Sequence, residues 1–356
     1  MDDNNNKIKI NMLSMADSVD GQGVGSAYLE LMKLLNEDGK NDFEIFLNKG
    51  TKYDIIHAHT VEPRNYLKLK FSKNPTVAYV HFLPDTLDGS IKLPKPIFKI
   101  FKKYVISFYK SADYLVVVNP IFKKDIAKAG IKEDKITYIP NFVSKEMFYK
   151  KTDKEIKDIR KKLGIKENKF VVLGAGQIQN RKGVIDFVEV AKKLPKIDFI
   201  WAGGFSFGGI TDGHHDLKKI MENPPKNVRF LGIVPRNEMN DLFNASDLLF
   251  VPSYNELFPM TILEAISTDT PILLRDLELY EDILFKKYLK GSNNDEFSEI
   301  IKLLSKDKKE YQKQVENAKE ISKFYSKEHV YKMWKEFYTE IAKKKKKEKK
   351  KRKKSE

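Results

Sequence analysis

The chain has 356 residues, of which 41% are hydrophobic and 33% charged, with a formal net charge of +16 and no cysteine. That length exceeds one ordinary core and predicts two domains of a soluble globular protein. Zero cysteines exclude disulfides, thiolate nucleophiles and Cys-based zinc or iron–sulfur sites, and no apolar run reaches the roughly 18 residues of a membrane span.

From the start, MDDNNNKIKI is acidic and polar, unlike a secretory signal, which together with the lack of cysteine fits a cytosolic protein. KIKINMLS (7–14) predicts a strand and VGSAYLELMKLL (24–35) the helix after it. FEIFLN (43–48), YDIIHAH (53–59), TVAYVHF (76–82) and YLVVVN (114–119) are short, mostly β-branched or aromatic runs with helical or turn-rich pieces between them. Such alternation predicts a parallel, doubly wound sheet. His57 and His59 read as strand-end structural residues rather than a metal pair. After ITYIPNFV (136–143) comes KKTDKEIKDIRKKLGI, charged and linker-like.

The pattern then restarts. KFVVLGAG (169–176) precedes a helix over 183–194, followed by strands IDFIWAGG (197–204), NVRFLGIV (227–234), DLLFVPS (247–253) and PILLRD (271–276). Two Rossmann-like domains, 1–148 and 149–327, are the simplest architecture for this α/β chain. EHVYKMWKEFYTEIA (328–342) predicts a terminal amphipathic helix, which could pack back on the first domain. The last segment, 343–356, carries eleven Lys/Arg against two Glu, a net of +9 that leaves about +7 for the body. Such a segment has nothing to bury and is expected to be disordered.

Three loops could carry chemistry. DGQGVGSAYLE (20–30) puts glycines between a strand and a helix start, where backbone can approach an anion. Its spacing is G-x-G-x-G with Ser26 at the place of the third fingerprint glycine, and the chain lacks G-x-x-x-x-G-K-[ST]. A nicotinamide or ATP site is therefore poorly supported, and a simple tight turn is the competing reading. GAGQIQNRKGV (174–184) sets Arg181 and Lys182 beside a glycine at a second helix start, which suits a diphosphate; the alternative is a polar loop with solvated cations. In NELFPMTILEA (255–265), Glu256 lies ahead of Pro259, and Glu264 lies a turn or so inside the helix that proline begins. A helix N-terminus between two carboxylates suits a ligand with phosphates and hydroxyls, although ordinary acidic decoration gives the same spacing. His214 and His215, in GITDGHHDLKK, read as part of a solvated loop, with contact to an acceptor as the alternative.

Together, SYNELFPMTILEA, the small-residue turn and PILL strand after it, DIIHAH (54–59), VHF (80–82), ADYLVVVNPIFKKDI (112–126) and IPNFV (139–143) resemble the retaining glycosyltransferase family four over most of residues 7–340. The resemblance implies a GT-B fold, two Rossmann-like doubly wound domains facing across a cleft, binding a UDP-sugar. Carried over by position, it implies that Glu256 faces the donor-sugar hydroxyls and Glu264 the nucleotide ribose. The donor-binding backbone would run from Phe258 through Pro259 and Met260 to Thr261, its N–H groups meeting the diphosphate together with Lys182. Gln177 stands where the family usually has arginine, so Arg181 is the candidate for the missing charge. His81 would sit by the reacting sugar, and the loop with Gly23 and Val24 would close on donor or acceptor. The chain has no D-x-D, and N–H dipoles and cations can stabilise the departing diphosphate. The expectation is a metal-independent transfer with retention, needing no cofactor beyond UDP-glucose or UDP-galactose as substrate.

The acceptor is signalled by KLPKPIFKIFKKYVISFYK (92–110). Ile97, Phe101, Tyr104 and Phe108 fall at helical spacing, with Lys95, Lys99, Lys102, Lys103 and Lys110 elsewhere on the helix. Such a helix suits an anionic membrane interface, and equally a domain helix with solvated lysines. The basic tail points the same way. Nucleic acid is not the expected polyanion, because no aromatics interleave with the tail lysines. INMLSMADSVDGQGVGSAYLE and WAGGFSFGGITDGHH resemble bacterial membrane-glycolipid synthases. This implies a peripheral enzyme on the cytoplasmic face of the plasma membrane that adds a hexose to monoglucosyl-diacylglycerol. Addition to diacylglycerol itself, transfer to a soluble saccharide or protein, and a non-catalytic polyanion binder are the alternatives.

Overall fold

Runs of isoleucine, valine, leucine and aromatic residues, too short for helices and buried on both faces, form parallel strands in both halves of the chain. The computed structural model describes residues 7–15, 23–50, 52–83, 94–205, 214–256 and 260–355. These divide into two units, one holding the described residues up to Phe142 and again from Ser326, the other those from Val143 to Tyr325.

The first unit runs β1 (Ile8–Leu13), α1 (Gly23–Lys33), β2 (Phe43–Leu47), β3 (Ile55–Ala58), α2 (Pro63–Lys70), β4 (Thr76–Val80), α3 (Lys95–Lys110), β5 (Tyr114–Val117), α4 (Phe122–Lys128) and β6 (Ile136–Tyr138). Its six strands are parallel in the order β2-β1-β3-β4-β5-β6, with Met12 of β1 opposite both Leu47 and His57. The winding direction therefore reverses between β1 and β3.

The second unit runs α5 (Asp153–Lys162), β7 (Val171–Ala175), α6 (Val184–Lys193), β8 (Asp198–Ala202), α7 (His214–Glu222), β9 (Val228–Phe230), α8 (Arg236–Ala245), β10 (Leu248–Val251), α9 (Met260–Ser267), β11 (Ile272–Arg275), β12 (Leu289–Gly291), α10 (Asn294–Leu304) and α11 (Lys308–Phe324). Its parallel sheet has the order β12-β11-β10-β7-β8-β9, with the reversal between β7 and β10. Phe187 of α6 anchors the core, its ring 5.3 Å from Phe199, 5.1 Å from Trp201 and 5.9 Å from Phe250.

Three sequence expectations change. The charged stretch after residue 149 is no linker: α5 starts in a capping box between Thr152 and Glu155, and Arg160 donates 2.9 Å to the Ala245 carbonyl and 2.7 Å to Asp247. His214 opens α7, with His215 exposed on its first turn rather than in a loop. The basic segment expected to be disordered is instead a continuation of α12 (Lys327–Ser355). Lysine and arginine are good helix formers, and a helix already nucleated by packing extends through them.

α12 belongs to the first unit. Trp334, Tyr338 and Ile341 are buried, and the Trp334 ring lies 5.5 Å from Tyr79 of β4 and 5.5 Å from His57 of β3. The Tyr338 hydroxyl is 2.6 Å from His57 Nδ1. Lys335 pairs with Asp42 at 2.8 Å, Lys327 with Asp38 at 3.0 Å, and Lys345 donates 2.6 Å to Asn74.

Candidate active site

The loops leaving β7 and β10 start at the carboxyl ends of neighbouring strands where the strand order reverses, the place where open α/β sheets ordinarily bind ligands. The sequence stitches these two loops together. Gly183 has φ +70°, and a Cβ on it would collide with the Pro252 carbonyl, so only glycine allows the loops this close. The Tyr254 N–H donates 2.8 Å to the Arg181 carbonyl, and Arg181 Nη1 donates 3.2 Å to the Asn255 carbonyl. The Lys182 ammonium donates to the Glu256 carboxylate, whose other oxygen is 3.9 Å from Arg181 Nη1.

Glu256 is thus buried between two cations. Burial pushes the Lys182 ammonium down, Glu256 pulls it back up, and Arg181 adds repulsion; the net direction is down. Gln177 accepts 2.8 Å from Gln179 Nε2, and Gln179 Oε1 accepts 2.8 Å from Arg181 Nε. Two amides therefore aim the arginine across the loop toward Glu256.

A second layer lies beneath. Arg275, at the end of β11, donates 2.9 Å to the Pro252 carbonyl, 3.2 Å to the Ser292 carbonyl and 2.9 Å to Asp186 of α6. Its guanidinium stacks 3.9 Å from the Tyr254 ring centroid. Tyr280 is fully buried and its hydroxyl has no hydrogen-bond partner among the described residues; burial first, then the charge of Glu256, pushes its phenol up.

Met260 and Thr261 begin α9, whose first N–H groups have no partner within the helix. Phe258 and Pro259 lie outside the described residues. Glu264, inside α9 and buried, accepts 3.4 Å from Arg236 Nε of α8, and the Arg236 guanidinium lies 5.3 Å from the Phe148 ring.

The other expected residues lie in the first unit. His81 follows β4, buried, its ring 4.1 Å from His59 and 4.2 Å from Tyr79; its Nε2 has no hydrogen-bond partner among the described residues. Burial lowers both His81 and His57 to about 3, with His81 also acting on His57, so both rings are neutral at physiological pH. Gly23 and Val24 are the first two residues of α1. Lys95, Lys99, Lys102 and Lys103 are on α3; Lys99 and Lys103 are exposed, and Lys102 lies 4.9 Å over the Phe98 ring. Of the apolar stripe on this helix, Ile97 is exposed and Phe108 is buried, with Val105 and Tyr109 buried beside it.

The family model for Glycosyl transferases group 1 matches residues 155–321, and that for Glycosyltransferase Family 4 matches residues 40–146. The chain is 48% identical to the alpha-galactosylglucosyldiacylglycerol synthase of Streptococcus pneumoniae over 334 residues, 93% of this chain and 89% of that protein. It belongs to glycosyltransferase family 4. A second relative is similar over 90% of this chain and 94% of its own length, at 29% identity: the processive diacylglycerol alpha-glucosyltransferase of Acholeplasma laidlawii. The crystal structure of Anabaena HepE in complex with UDP and glucose superposes with a TM-score of 0.73 at 17% identity, over 93% of this chain and 99% of that one. The family-4 chain therefore has the GT-B fold.

Sequence reading of this glycosyltransferase missed Gln179, Arg236, Arg275 and Tyr280. Arg275 was visible as a charged residue closing the apolar strand PILLRD, a place where a cation needs a buried partner. Tyr280 gave no such signal.

Proposed function

We propose that this glycosyltransferase moves a glucose or galactose from its UDP-sugar onto monoglucosyl-diacylglycerol, giving a diglycosyl-diacylglycerol. The observation that carries the reading is 48% identity across 93% of the chain to a synthase whose name describes a galactosyl-glucosyl-diacylglycerol product. The second unit supplies chemistry to match.

When the bond from sugar C1 to the diphosphate oxygen breaks, negative charge builds on the departing UDP and positive character on C1. Lys182, Arg181 and the N–H groups of Met260 and Thr261 are the groups we assign to the diphosphate, with Gln177 lining the loop. Lys182 then exchanges its bond to Glu256 for the phosphate, which frees the Glu256 carboxylate for the sugar hydroxyls. Glu264 is assigned to the ribose, exchanging its bond with Arg236. We assign His81 to the reacting sugar as a neutral hydrogen-bonding group, because burial leaves its imidazole uncharged. Cations already placed for the leaving group support transfer without a metal, and we infer retention of configuration from the family resemblance.

The acceptor is a lipid, so we propose peripheral attachment to an anionic bilayer through Lys95, Lys99, Lys102 and Lys103 of α3. Among the described residues no helix is long and apolar enough to cross a membrane. The test uses radiolabelled UDP-glucose and UDP-galactose with monoglucosyl-diacylglycerol in mixed micelles, in the presence of EDTA. A labelled diglycosyl lipid is expected from the wild type and none from Glu256→Ala. Label appearing only in water-soluble product, or full activity in Glu256→Ala, refutes the reading.

A further inference from the structure

Helix α2 carries apolar side chains where a surface helix ordinarily carries charge. Asn65 and Leu69 face inward, yet Leu67 is 55% exposed and Phe71, which caps the helix, is 73% exposed. The two are four residues apart and share one stripe. Arg64 and Lys68 border that stripe on one side and Lys70 on the other, with the Lys70 ammonium 5.8 Å from both the Tyr66 and Phe71 rings.

Helix α2 meets α3 through Tyr66, the neighbour of Leu67 in sequence. The Tyr66 and Ser107 hydroxyls are 3.1 Å apart, and the Tyr66 ring lies 6.2 Å from Tyr104 and 6.4 Å from Phe108. Ile100 and Lys103 precede Ser107 by two turns and about one, so they lie along the same edge of α3 that meets α2. Ile100 is 68% exposed and Ile97 51%. Neither helix contains an acidic residue. Four exposed apolar side chains on two helices that touch, with Arg64, Lys68, Lys70, Lys99 and Lys103 exposed on the same helices, mark an interaction surface. Its chemistry, apolar within cationic, is complementary to a lipid surface with anionic headgroups over acyl chains.

We propose that Leu67 and Phe71 of α2, with Ile97 and Ile100 of α3, insert into the acyl boundary of an anionic bilayer. This rests on the lipid-acceptor reading and adds a second helix and a second force to it. Lysine attraction is screened as the Debye length shrinks with salt, whereas apolar insertion is not. Binding is therefore expected to survive about 0.5 M NaCl in part, and that remainder is to depend on α2.

The experiment uses the full chain and vesicles of equimolar phosphatidylglycerol and phosphatidylcholine. Trp201 and Trp334 are both buried, so a Phe71→Trp variant provides an emission signal that responds to its own surroundings. The expected result is a blue shift on vesicle addition and quenching by acyl-brominated lipid. The Leu67→Ser/Phe71→Ser variant is expected to lose about a hundredfold in partitioning, from two apolar side chains each worth roughly tenfold. Its transfer to a short-chain, water-soluble glycolipid should be unchanged, which shows that the variant is folded.

If Phe71→Trp protein pellets with vesicles without a blue shift, α2 stays out of the bilayer, and the proposal fails while membrane attachment stands. If the wild type does not pellet, both fail. Dimerisation without vesicles, abolished by Leu67→Ser/Phe71→Ser, would assign the face to a second copy and overturn the proposal.

Discussion

The ion pair at the reversal point of the second sheet makes an unequal prediction for its two halves. Lys182 and Glu256 are 14% and 6% exposed in their side chains, and Arg181 stands 3.9 Å from the second carboxylate oxygen. At about 4 Å and an effective dielectric of about 20, unit charges attract by about 4 kcal/mol, much of it offset by desolvation. Lys182→Met leaves Glu256 with Arg181 still beside it, which places the cost at the low end for a broken buried pair, about 3 kcal/mol. Glu256→Leu leaves two cations facing each other with no anion, which places it at the high end, about 5 kcal/mol, limited by release of the Lys182 proton that burial already favours. The double variant Lys182→Met/Glu256→Leu removes both charges and should recover to within about 1–2 kcal/mol of wild type, because replacing both partners by apolar groups is often neutral. All three variants lose transfer. The assay is urea unfolding followed by Trp201 emission in a Trp334→Phe background, since Trp201 lies in the second unit and donates 3.0 Å to the Gly176 carbonyl behind the loop. A double variant no more stable than Glu256→Leu, or a Lys182→Met more damaging than Glu256→Leu, refutes the reasoning.

Acid should loosen the first unit before the second. His57 and His81 fall from 6.5 to about 3 on folding, so the unfolded chain takes up protons first; stability is complete above about 6.5 and declines as pH drops toward 3. At pH 5 each ring costs about 2 kcal/mol, less for the pair because they interact, and Trp334 emission should report an earlier urea midpoint than at pH 7. An unchanged midpoint counts against it. Arg275→Lys keeps the charge but loses the fork that spans Pro252, Ser292 and Asp186; kcat/KM should fall by about tenfold to a hundredfold with the Glu256 loop displaced, and wild-type kinetics would remove the clamp. Gly183→Ala should destabilise by about 1–3 kcal/mol from its left-handed φ, plus the clash with Pro252, and weaken UDP binding in calorimetry; undiminished UDP affinity would show that the loop contact is dispensable.

The sheets were legible because buried parallel strands are bare apolar runs, and each run read that way contains a strand. β12 was not, since its LKG carries too little apolar signal. α5 was hidden by its charge: ten residues with one buried isoleucine resemble a linker until the Thr152–Glu155 cap is noticed. In the candidate site, Lys182 and Glu256 drew attention as charged residues at βα turns, and the structure pairs them with each other. Arg275 was harder, because three of its acceptors are carbonyl or carboxylate groups brought near only by folding. The outward apolar stripe of α2 also escaped notice, because LKLKF (67–71) looks like ordinary surface until exposure is known.

The last helix has a consequence for biosynthesis. Its Trp334 and Tyr338 complete a core whose first strand left the ribosome more than three hundred residues earlier, while the described residues of the second unit all lie between Val143 and Tyr325. The usual order, in which the amino-terminal domain matures first, is therefore inverted. The second unit can finish during translation, but the first must wait with the slot against His57 and Tyr79 open until residues near 340 arrive. Nascent chains stalled before that point should bind holdase chaperones through the first unit, and release should track emergence of Trp334.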